Sequence, residues 1–123
     1  MRRGLVLATR VLLLMAMAFI LFESTIRHPL DPQVEGGDKI MHALAFCALS
    51  FLADFSFPEE GFGFRKIALL TGYGILIEIV QSFLPWRSAE VSDLLADASG
   101  MGVYLLFLPL LKQVPLLRDR WNV

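Results

Sequence analysis

Cysteine is almost missing from this chain: there is one, Cys47, in 123 residues. A single cysteine forms no intrachain disulfide and leaves no paired-cysteine spacing for a metal. It lies in an apolar run and reads most simply as a small buried hydrophobe. Charge is sparse as well, at 19% of residues with a formal net charge of −1. That balance gives no argument for a nucleic-acid partner. The sequence has no internal repeat, no low-complexity tract, no Gly-rich phosphate loop followed by a helix and no H-E-x-x-H pair. No serine or cysteine stands out as a nucleophile. A water-soluble catalytic domain has no room here, so any chemistry must come from the apolar segments and their short connections.

What the chain has in excess is apolar residue. The hydrophobic fraction is 56% and the mean hydropathy is +0.63. A soluble domain of this length has too little interior to bury so much. The composition points to an all-α integral membrane protein, organised as one unit over residues 1–123.

A spanning helix needs about 20 mostly apolar residues. Four segments come close: about Leu5 to Phe22, Ile40 to Phe57, Ile67 to Leu84 and Leu94 to Leu111. The expectation is therefore a bundle of four transmembrane helices. The intervening stretches HPLDPQVEGGD, PEEGFGF and PWRSAEVSD carry the residues at which helices stop and restart. Ser92 or Asp93 is the expected N-cap of the fourth helix. The run after Met1-Arg2-Arg3 also resembles a signal peptide, with Ala16-Met17-Ala18 as a cleavage tripeptide. Phe19 to Phe22 continue the apolar run beyond it, which favours a retained first helix.

Basic residues set the orientation, since cytoplasmic flanks are enriched in Lys and Arg. With the N-terminus inside, Arg2, Arg3, Arg10, Arg65, Lys66, Lys112, Arg118 and Arg120 fall on the inner side. Arg27, Lys39 and Arg87 fall outside, eight against three. Both termini are expected in the cytoplasm, in a cell inner (cytoplasmic) membrane.

This topology brings unusual polar residues to one outer layer. Asp38, Lys39 and His42 open the second helix. Glu78 and Gln81 lie near the outer end of the third. Arg87 is in the outer turn, and Ser92, Asp93 and Asp97 open the fourth. Residues three or four apart share a helix face. Gly74, Glu78 and Gln81 form one stripe, Asp93, Asp97, Gly100 and Tyr104 another, and His42, Phe46 and Ser50 a third. Glycine on a carboxylate's stripe lets a neighbouring helix come close. The stripes are expected to face one another around a polar pocket, with Glu78 and Asp97 near His42 and Arg87.

Plainer readings stand beside several of these residues. Arg87 pairs with Glu90 on the surface, which contributes little. Asp93 only caps its helix, and Lys39 snorkels to headgroups. Trp86 anchors at the interface. Asp54 lies nearer the inner end, where Arg65 or Lys66 would meet it, and reads as structural. Glu78 is harder to explain in this way, because it sits within an apolar run with Gln81 one turn on. Ionisable groups in such a position face a partner or a cavity.

Three motifs carry a family resemblance: DK-x-x-H at Asp38–His42, E-x-x-Q-x-F-x-P-x-R at Glu78–Arg87, and S-D-L-L-A-D-x-x-G at Ser92–Gly100. In order and spacing they resemble the VanZ-like family of small bacterial membrane proteins, over roughly Asp38 to Leu111. The resemblance implies a multi-helix integral membrane protein. The family's founding member is linked to low-level resistance to the glycopeptide teicoplanin. Many similar proteins sit outside resistance clusters, so no such role is carried over. The family commonly has Asn where this chain has Asp97, which adds a potential negative charge to the pocket.

Three functions are open at this point. In the preferred one, Lys39, His42 and Arg87 hold an anionic lipid headgroup or cell-wall precursor, with Arg matching phosphate oxygens through its planar fork. Glu78, Gln81, Ser92, Asp93 and Asp97 supply the remaining polar contacts. In the second, the chain is a membrane hydrolase, with His42 and a carboxylate as acid and base. Here a divalent metal on His42, Glu78, Asp93 and Asp97 is an option, although no strong metal motif or cofactor motif is present. In the third, the polar groups only lock helices together in a subunit of a larger complex. A conduction path would require homo-oligomers.

Overall fold

The computed structural model describes residues 3–26, 37–86 and 90–121. The described chain is helical throughout: α1 (Arg3–Thr25), α2 (Gly37–Ser56), α3 (Phe64–Ser82), α4 (Val91–Leu111) and a single 3-10 turn, Arg118–Arg120. Each helix begins or ends within a few residues of the apolar boundary read from the sequence. Among the described residues, α1, α2 from Lys39 onward, and α4 are long and apolar enough to cross a membrane. The third expected span is the exception. α3 forms as a 19-residue helix but carries Arg65, Lys66 and Glu78, which lower its apolar character.

α2 is the centre of the bundle. It packs most extensively against α4 and also meets α1 and α3. The core joins Leu13 of α1, Phe46, Leu49 and Ala53 of α2, Leu70, Tyr73 and Ile77 of α3, and Met101 of α4. The Tyr73 hydroxyl donates to the Met17 carbonyl, tying α3 to α1. Large apolar side chains such as Leu14, Phe19, Leu69 and Leu106 stay more than 60% exposed. Helices apolar on every side belong in an apolar surrounding.

Close approach of α2 and α4 depends on Gly100. A Cβ there would run into the Ala43 carbonyl oxygen and lie 2.9 Å from the Cys47 nitrogen, both backbone atoms of α2. Gly74 does the equivalent for α3: a Cβ would stand 2.7 Å from Asp97 Oδ2 and 3.3 Å from Phe46 Cζ. The glycine stripes thus face neighbouring helices, as small residues do where membrane helices meet.

Candidate functional site

Two polar clusters lie at opposite ends of the bundle. Asp54 and His42 are twelve residues apart on α2, which is about 18 Å along a helix. The two clusters differ in how completely they are satisfied.

The Asp54 cluster closes the C-terminal end of α2, where the last carbonyls of a helix lack intrahelical partners. Arg120 Nε donates to the Asp54 carbonyl at 2.8 Å, and Thr9 Oγ1 donates to Phe55 at 3.3 Å. Arg10 Nε donates to Ser56 at 2.8 Å, and Lys66 Nζ to Phe57 at 2.9 Å. The Asp54 carboxylate accepts from Arg120 Nη2 at 2.6 Å, Lys66 Nζ at 3.1 Å and Tyr104 at 2.6 Å. Of the two cations expected near Asp54, Lys66 is the one that arrives. Arg65 pairs instead with Glu60, 2.8 Å away. Arg10, an interruption in an otherwise apolar segment, is explained as a cap on the neighbouring helix.

The His42 cluster forms where α2 and α4 begin and α3 ends. His42 Nδ1–H donates to Asp97 Oδ1 at 2.6 Å, and its Nε2 stands 4.0 Å from Asp93 Oδ2. Lys39 Nζ donates to Asp93 Oδ1 at 2.9 Å and to Glu90 Oε2 at 3.0 Å. From α3, Glu78 Oε2 accepts the Glu90 backbone N–H at 3.0 Å. Gln81 Nε2 donates to the Ser24 carbonyl at 3.1 Å and so closes part of the C-terminal turn of α1. Trp86 adds a bond from its indole to the Thr25 carbonyl at 2.9 Å.

The start of α4 differs from the sequence reading. Its N-cap is Glu90, with no side-chain cap bond, and Asp93 lies in the first turn. Neither Ser92 nor Asp93 occupies the cap position. Glu78 accepts from another helix the N–H of the cap residue itself, the group that a capping-box Glu at the third helical position would otherwise serve. Asp93 remains well placed for the helix dipole, which favours an anion in the first turn.

Of the residues expected at the site, Lys39, His42, Glu78, Gln81, Asp93 and Asp97 converge. Ser92 sits at the rim, donating to Glu90 Oε2 at 3.1 Å. Arg87 and the side chain of Asp38 lie outside the described residues. Glu90 is a member that the sequence reading treated only as a surface partner for Arg87. Its signal was its place just before the apolar start of α4.

Glu78, Gln81, Asp93 and Asp97 are all more than nine-tenths buried. Three of their oxygens, Glu78 Oε1, Gln81 Oε1 and Asp97 Oδ2, accept no hydrogen bond among the described residues. Each is costly to leave so, because a buried acceptor loses its water without gaining a donor. Asp97 Oδ2 rests against Gly74, where only the missing side chain makes room for it.

A helical bundle with apolar flanks and a cluster of buried carboxylates defines a small membrane protein with a buried polar cluster. The particular family follows from comparison: the VanZ/LLP1 family profile matches residues 7–112. The chain belongs to the VanZ/LLP1 family, and the match takes in α1 as well as the three helices that carry the motifs. No curated protein and no solved structure gives a match.

Proposed function

We propose that this VanZ-like membrane protein binds an anionic lipid headgroup, or a lipid-linked cell-envelope intermediate, at the His42 end of the bundle. In this reading all four helices cross the cytoplasmic membrane, both termini are cytoplasmic and the His42 end faces outward. α3 crosses because two of its charged groups are sheltered against the other helices, Lys66 and Glu78 at 4% and 8% exposed, while the exposed Arg65 lies in its first turn.

One observation carries the proposal. The Asp54 cluster uses its buried donors and acceptors within the protein. The His42 cluster leaves three buried acceptor oxygens over. A cluster that only locks helices together has no use for them. A ligand that brings hydroxyl or amide donors does, and sugar and glycerol headgroups carry such donors beside a phosphate. Lys39, one-third exposed at the rim, faces the anionic part.

Native mass spectrometry of the protein in mild detergent, wild type beside Glu78→Ala, tests this. The expected result is an anionic lipid that stays with the wild type and is lost from the mutant. Equal retention by both proteins, or none by either, would leave the cluster as helix packing alone.

A further inference from the structure

Among the described residues, the carboxylates of Glu78, Asp93 and Asp97 gather around His42 at the end of the bundle. We infer that His42, Glu78 and Asp93 bind one divalent ion of the first transition row.

Each of the three offers one ligand atom, and these lie within 4.8 Å of one another. In each of the three, one polar atom is anchored by a neighbour and the other is left for the ion. His42 Nδ1 is committed to Asp97 Oδ1, which leaves Nε2. Asp93 Oδ1 takes Lys39, which leaves Oδ2, 4.0 Å from His42 Nε2. Glu78 Oε2 takes the Glu90 N–H, which leaves Oε1, a buried atom with no donor among the described residues. This last atom is the observation that separates the cluster from an ordinary group of acidic residues: a carboxylate oxygen in a side chain 8% exposed calls for a donor or a cation that the described residues do not supply.

The ring of anchors has the form of a metal site's outer shell. A ligating histidine gives its second N–H to a carboxylate, which fixes its tautomer and ring plane. Asp97 stands in that position, behind His42 and not beside it. Ligand atoms around an ion at about 2.0–2.2 Å sit roughly 3–3.5 Å apart, so the three side chains draw in by about 1 Å on binding. One imidazole with two carboxylates suits zinc, manganese or iron better than calcium or magnesium, which prefer oxygen alone. Three protein ligands leave a coordination position for water or for an anionic oxygen. Its use by a phosphate rests on the headgroup reading, whereas the ion itself does not. Glu78 Oε1 then belongs to the ion, and Gln81 Oε1 remains for the headgroup's donors.

The test is metal content by inductively coupled plasma mass spectrometry. The full chain is stripped with chelator in mild detergent, then reloaded with zinc or manganese and freed of excess. About one ion per wild-type chain is expected, with affinity lower by about tenfold or more in Glu78→Gln and in Asp93→Asn. Glu78→Gln keeps a carbonyl oxygen for the Glu90 N–H, so the start of α4 survives the change. Cys47→Ala should bind as the wild type does. No ion on the wild type, undiminished binding in both variants, or binding lost with Cys47 would each overturn the inference. Lipid retention is read separately on the same samples. Lipid kept by a protein that binds no ion sinks the ion and spares the headgroup reading, and an ion without lipid does the reverse.

Discussion

Asp54 has no exposed surface, yet both of its carboxylate oxygens are engaged, by Lys66 and Arg120 on one and Tyr104 on the other. Burying such a group is favourable only while every partner stays, because removing one leaves an uncompensated charge. Arg120→Ala should therefore lower stability by about 3–5 kcal/mol, read as a fall in the thermal unfolding midpoint in detergent. An unchanged midpoint would show that Lys66 alone suffices. The sequence disclosed half of this cluster. Lys66 lies at the start of the helix that follows Asp54, so their proximity was readable from local spacing. Arg120 was not readable, being 66 positions away and otherwise one more basic residue beyond the last span. The His42 cluster was more legible because its members other than Glu90 lie on the helices, where a polar residue in an apolar run is conspicuous. What spacing alone did not show is which oxygens would remain without donors. That depends on how near α3 comes to the start of α4.

At the scale of the helices, the apolar runs and the turn residues between them placed all four elements, and the stripes read from helical spacing are the buried faces. Gly74, Glu78 and Gln81 are buried on α3, and Asp93, Asp97, Gly100 and Tyr104 on α4. The start of α4 was misread because local cap chemistry favours Ser92 or Asp93, whereas a long-range acceptor from α3 serves the Glu90 N–H instead. Gly100 tests how much the site depends on this packing. Gly100→Ala forces α2 away from α4, since the atoms in the way are backbone. Such overpacking costs about 1–3 kcal/mol. Asp97 is on the same face one turn earlier, so its bond to His42 should loosen and ligand retention should fall with the melting midpoint. Gly102→Ala meets nothing within 4 Å and should leave both unchanged. If the two variants melt alike, close contact of α2 and α4 is not what holds the site together.

For the molecule as a whole, the two clusters make opposite demands on the membrane. The Asp54 end is closed within the protein, with Arg10, Lys66 and Arg120 drawn in on the last carbonyls of α2 and the turn after it. The His42 end keeps spare acceptors and has use for a ligand only if something can reach it. In the proposed orientation the excess of basic residues at the Asp54 end puts that end in the cytoplasm and turns the His42 end outward. Membrane-impermeant maleimide labelling of intact cells checks the assignment, in a Cys47→Ser background so that no native thiol reacts. Phe83, in the connection between α3 and α4, is 81% exposed, and Phe83→Cys should label from outside. Gly61, in the connection between α2 and α3, is exposed with open space around it, and Gly61→Cys should label only after the cells are opened. The reverse pattern would turn the site toward the cytoplasm and remove the outer-leaflet headgroup as its ligand. Labelling of both positions from outside would mean that α3 does not cross, and that its Arg65, Lys66 and Glu78 keep it at the surface.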